Sequence, residues 1–200
     1  MDYLEMMKGF LLSPLESFRK VRDTDWGDSL TYYLILLVIN AVLSAIVSIV
    51  MASSAWTTFS AFFTQAGVPL PAIAGAGVIV YALAMIIVQF VLVFIGAAWL
   101  HLFVYILGGR RGYLQTLKAL TFGSTPAMLF GWIPFIGFLA GIWSLILGIF
   151  GIRELQDMTT VRAAIAVFLS VLVVLLIAVA IAAFFVIAYS VVTPVPVSVP

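Results

Sequence analysis

The sequence predicts an all-α, polytopic membrane protein: a bundle of five transmembrane helices with a short cytosolic interfacial helix at its N-terminus. Composition is the first observation. Of 200 residues, 65% are apolar and only 8% charged, with a mean hydropathy of +1.28. A water-soluble domain carries about a quarter charged residues to hydrate its surface. The second observation is where charge is missing: residues 29–109, 119–152 and 163–200 carry none. The third is an asymmetry. With five crossings every lysine and arginine falls on one side of the membrane, whereas four would carry a basic cluster across.

The segment 1–28 holds ten of the charged residues and reads as a cytosolic amphipathic lead-in. Ser13-Pro14-Leu15-Glu16 has a serine N-cap, a proline at the first helical position and a glutamate placed to close a capping box. Leu15, Phe18 and Val21 share a face, with Arg19, Lys20 and Arg22 around it. Such a helix lies at the lipid head groups. No cleavable signal peptide is expected, since the apolar stretch 9–12 is short and follows acidic residues.

A helix needs about 20 apolar residues to cross roughly 30 Å of hydrocarbon. The spans are placed at 29–52, 76–107, 113–130, 134–152 and 163–192. Gly67, Pro69 and Pro71 punctuate the first connection. Between 113 and 152 the turn Gly131-Trp132-Ile133-Pro134 favours a hairpin over a single crossing. A re-entrant hairpin preserves the same sidedness and stays open as an alternative. Pro126, behind Ser124 and Thr125, kinks the third span. The tail 193–200, with three prolines, is expected to be extended and external.

Inside the membrane Gly137, Gly141, Ser144, Gly148 and Gly151 line one face of the fourth span. Ala41, Ala45, Ser48 and Ala52 do the same in the first. Small residues allow the close backbone approach that holds helices together where lipid supplies little hydrophobic drive. Asn40, Gln89 and His101 are polar at membrane depth and need partners. Hydrogen bonds between helices are the expectation, and a small-molecule path the alternative. Trp26, Tyr32, Tyr33, Tyr105, Tyr113, Trp56 and Trp132 fall where aromatic belts sit, with Trp99 and Trp143 deeper.

Candidate chemistry is sparse. A net charge of +1 leaves no nucleic-acid footprint. With no cysteine and one histidine, no metal site or cofactor is expected, and no nucleophile with a neighbouring base suggests catalysis. The distinctive element is the basic turn Gly108-Gly109-Arg110-Arg111-Gly112. Two adjacent guanidiniums can hold phosphate bidentately, so Arg110 and Arg111, with Arg19 and Lys20, are the candidate contacts for a cytosolic protein or anionic lipid head groups.

These residues resemble the Yip1 family. The resemblance rests on the proline-containing amphipathic opening 13–18, the long apolar pair of spans, the basic turn 108–112, the Thr125-Pro126 element, and Trp132-Ile133-Pro134 before a glycine-rich span. It implies a five-span domain with a cytosolic N-terminus and an external C-terminus. In eukaryotic relatives it implies vesicle transport and contact with small prenylated GTPases. The compact form resembles the prokaryotic members, so a prokaryotic plasma membrane is the expected location. The functional expectation is a non-enzymatic, membrane-organising or trafficking-type adaptor, homo-oligomeric or not. A transporter or channel for small molecules or lipids is the alternative.

Overall fold

The computed structural model describes residues 2–51, 61, 64–65, 76–133 and 135–192. Ala52, Trp56, Gly67, Pro69, Pro71, Pro134 and the tail 193–200 lie outside them.

The described chain is helical: α1 (Tyr3–Leu12), α2 (Pro14–Lys20), α3 (Trp26–Met51), α4 (Ala76–Ile106), α5 (Tyr113–Gly123), α6 (Thr125–Phe130), α7 (Ile136–Leu155) and α8 (Thr160–Val192). Four stretches, Trp26–Val47, Ile79–Ile106, Ile136–Leu155 and Thr160–Phe185, are long and apolar enough to cross a membrane. Caps set several ends away from the expected ones. Asp25 Oδ2 accepts the Gly27 N–H at 3.1 Å, and Thr159 Oγ1 accepts the Arg162 N–H at 3.4 Å. Each starts its helix three residues early, because a side-chain acceptor there satisfies an otherwise orphaned amide.

The N-terminal segment differs from a single interfacial helix. Asp2 caps α1 by accepting from Leu4 and Glu5 N–H at 3.0 and 3.3 Å, and α1 and α2 form a hairpin against the bundle. The capping box at Ser13 does not form. Ser13 also closes α1, and its N–H already bonds the Gly9 carbonyl at 2.8 Å, which removes the donor that Glu16 was to satisfy. Phe10 and Phe18 have no exposed surface. Phe10 stacks on Phe122 with ring centroids 4.9 Å apart and meets Phe18 edge-on at the same distance. Tertiary burial therefore holds this hairpin, in addition to any contact with head groups. It also buries Tyr32, which is fully covered rather than in an aromatic belt, and Tyr33 is only 5% exposed.

The stretch 113–130 is two helices with a break at Ser124. Pro126 lacks the N–H that would bond the Phe122 carbonyl. Thr125 Oγ1 donates to that carbonyl at 2.6 Å, and Tyr32 Oη lies 2.9 Å from Thr125 Oγ1. The orphaned Ala127 N–H is capped from the neighbouring helix by Ser144 Oγ at 2.9 Å. The Phe122 carbonyl and the Ala127 N–H are thus both bonded at the break, and α5–α6 runs antiparallel beside α7: Ala119 meets Gly151, Gly123 meets Gly148, and Gly131 meets Gly137.

Candidate functional site

Members of all three charged groups of the sequence converge at one end of the bundle. The α7–α8 turn supplies the acceptors. Arg19 of α2 bonds Glu154 Oε2 at 3.0 Å. Arg22 bonds Asp157 Oδ1 at 2.6 Å and the Glu154 carbonyl. Arg111 takes the other Asp157 oxygen. One carboxylate thus clamps the N-terminal segment to the basic turn. Asp157 adopts a left-handed conformation, φ +50°, which an aspartate tolerates better than most residues. Burial pushes its carboxyl up, but the hydrogen bonds from Arg111 and Arg22 outweigh this and hold it below its ordinary value.

Gln156 fixes the turn from below. Its Oε1 accepts the Arg111 N–H at 2.9 Å, and its Nε2 donates to the Gly112 carbonyl at 2.8 Å and to Thr116 Oγ1 at 2.9 Å. Gly108 and Gly112 have φ of +102° and +88°, which only glycine adopts without strain. From α5, Lys118 donates to the carbonyls of Arg22 and Thr24 and Gln115 donates to Arg22 at 3.2 Å. Lys118 therefore ends buried, 4% exposed. Arg22 Nε and Gln115 Oε1, a donor and an acceptor at this junction, are buried without a partner among the described residues.

The four candidate contact residues separate here. Arg19 and Arg111 are committed to carboxylates. Arg110 folds back with its guanidinium 4.2 Å above the Tyr105 ring and donates to the Tyr105 and Gly109 carbonyls. Lys20 projects into the open, its side chain 76% exposed and its nearest carboxylate, Glu16, 4.0 Å away. An isolated guanidinium pair free for one phosphate is not the arrangement at the turn.

The polar residues at depth also separate. Asn40 Nδ2 donates to the Met128 carbonyl at 2.8 Å, linking α3 to α6. His101 Nδ1 lies 2.8 Å from Thr116 Oγ1, linking α4 to α5. Gln89 makes no hydrogen bond among the described residues and lines a groove instead. Of the small-residue face, Gly151 admits the Phe18 ring and Ala119, Gly137 admits Gly131, and Ser144 caps α6. A Cβ at Gly141 or Gly148 meets nothing within 4 Å.

Sequence reasoning passed over Arg22, Lys118, Glu154, Gln156 and Asp157 as site residues. The signal available was the string Arg153-Glu154-Leu155-Gln156-Asp157, which puts polar acceptors directly after an apolar span. The missed helix α1 had a signal too: Asp2 followed three residues later by Glu5.

Comparison with curated proteins and with solved structures returns no match. A family model described as the Yip1 domain matches residues 8–192, nearly the whole chain. Long apolar helices, the charged end and that match agree: this multi-pass membrane protein belongs to the Yip1 family.

Proposed function

We propose that the charged end faces the cytosol, that the chain makes five passes with an external C-terminus, and that it is a non-enzymatic, membrane-organising or trafficking-type adaptor. Support for five passes comes from direction. α3, α5 and α8 start at the charged end, while α4 and α7 finish there. Three helices leave that end and two return. The bias of lysine and arginine toward the cytoplasm supports the orientation, and a prokaryotic plasma membrane is the host membrane in this reading.

One observation carries the adaptor reading: ion pairs tie α2, the basic turn and the α7–α8 turn into one surface that also carries Lys20 and Arg110. Preorganisation of that kind lowers the ordering cost of binding. Lys20 and Arg110, whose side chains meet no carboxylate within hydrogen-bonding distance among the described residues, are the groups placed to meet an acidic protein surface or anionic head groups. The transport alternative draws less support, because Asn40 and His101 are both hydrogen-bonded across helices.

The test is a pull-down from native membranes in lipid-preserving particles, with proteins and lipids identified by mass spectrometry. Lys20→Glu/Arg110→Glu leaves the Asp157 clamp untouched. Stoichiometric recovery of a protein or anionic lipid from the wild type, lost in the variant, is expected. Recovery unchanged by the variant removes these residues from the reading.

A further inference from the structure

The break at Ser124 has a second effect, away from the charged end. α5 packs against α4, whereas α6 turns to pack on α3 and α7. Where the chain leaves α4, a groove of about 270 Å³ opens between α3, α4 and the break. Ser124 is about 9 Å along the helix from Lys118, whose ammonium bonds the charged junction, and so lies inside the roughly 30 Å of hydrocarbon. Leu92, Val93, Leu120 and Met128 supply apolar walls, and Leu92 and its neighbours on α4 are exposed on the lipid side.

Gln89, Tyr33 and Ser124 are the polar residues among those that line this mostly apolar groove. Among the described residues neither the Gln89 carboxamide nor the Tyr33 hydroxyl has a hydrogen-bond partner. Ser124 Oγ donates to the Thr121 carbonyl at 2.8 Å and keeps its lone pairs to accept. Other polar groups around the break are paired: Thr125 with Phe122 and Tyr32, Ala127 with Ser144, Asn40 with Met128. An unpaired amide at this depth costs free energy, and water does not reach it to relieve the cost. The groove therefore has donors and acceptors without partners, no charged lining residue, and an opening toward lipid.

We propose that this groove binds a neutral lipid whose hydroxyl or carbonyl group lies within the hydrocarbon layer, the polar group meeting Gln89 and Tyr33 and the tail running along Leu92 and Val93. The chemistry follows from the lining. A charged head group finds no counter-charge there and stays at the surface, while a plain hydrocarbon leaves Gln89 and Tyr33 unpaired. A long-chain alcohol and a long-chain quinone share the required chemistry and differ in whether the ligand can donate. The proposal does not depend on what the charged end recruits.

The full chain in phosphatidylcholine vesicles is photolabelled with a diazirine-tailed long-chain alcohol and a diazirine-tailed long-chain quinone. A diazirine-tailed hydrocarbon without a polar group and a diazirine-tailed phosphatidylglycerol serve as comparators. Either polar probe is expected to label peptides containing 86–93 and 120–128 several-fold above both comparators, and to be competed by its unlabelled analogue. Gln89→Leu and Tyr33→Phe each lower that labelling about fivefold, the worth of one neutral hydrogen bond. Leu92→Trp, at an exposed position, fills the groove and abolishes it, and retained helicity and a monodisperse elution profile establish that the fold is intact. The ratio of alcohol to quinone labelling identifies whether the ligand donates. Equal labelling by the hydrocarbon, preference for phosphatidylglycerol, labelling unchanged by all three variants, or covalent dimers formed through this face would each overturn the proposal.

Discussion

The two ends of this molecule are held by different physics. At the charged end Phe10, Phe18, Tyr32 and Phe122 have no exposed surface, and Asp157 joins Arg22 and Arg111. On the long arms of α4 and α8, Ile79, Leu83, Ile87, Leu175, Val179 and Phe184 are roughly half or more exposed. In water such arms would collapse onto one another. In a bilayer they need not, because lipid tails solvate an apolar side chain as well as another helix does. The protein therefore concentrates its specific contacts where polar groups must be matched and leaves the arms to lipid.

Removing a buried ring at the charged end gives the largest expected loss. Phe18→Ala, between Phe10 and Gly151, lowers unfolding free energy by about 3–5 kcal/mol, read as a fall in the melting midpoint in mild detergent. It also frees the α1–α2 hairpin to proteases. A midpoint within experimental scatter of wild type would mean that the hairpin merely rests on the membrane surface.

Gly123→Val probes the α5–α7 contact. A Cβ at Gly123 lies 3.2 Å from the Gly148 backbone nitrogen and 3.3 Å from its Cα, and backbone cannot step aside as a side chain can. A loss of roughly 1–3 kcal/mol is expected, whereas Gly141→Ala, facing open space, is expected to be silent in the same denaturation series.

Asp157→Asn sharpens the electrostatic half of the comparison. The carboxylate is partly exposed, so its two ion pairs together contribute below about 1 kcal/mol. Its carboxyl is held below the ordinary value in the folded state, so the contribution is complete above the ordinary carboxylate range and is lost as pH falls through the folded value. The stability gap between wild type and Asp157→Asn should accordingly be present at pH 7 and close on acidification. A gap that widens in acid would reverse the assigned direction.

The smallest effect belongs to the arms. Phe184→Ala removes a ring that is 67% exposed and should change detergent stability by less than about 0.5 kcal/mol. A loss comparable to Phe18→Ala would show that the α8 arm packs on protein, and would break the comparison outright.

The sequence by itself determined the helical membrane class, because long continuous apolar runs without the polar alternation of a closed barrel leave the helix as the backbone solution in lipid. It also located the approximate bounds of four long helices and the proline disturbance at residue 126, since each depends on local pattern: hydropathy, caps and the missing proline N–H. Only the tertiary structure decided which polar residues pair. Glu154, Gln156 and Asp157 stand out in the string only as polar acceptors after an apolar span, and the partners that join them to α2, Arg22 and α5 lie 40 to 135 residues away. The same holds for Tyr32 and Phe10, buried because two chain-distant helices cover them, and for Gln89, left unpaired because the chain turns away at Ser124. Local pattern sets the helix and its depth, but whether a polar group at that depth is satisfied depends on which helix folds against it, and no local spacing encodes that.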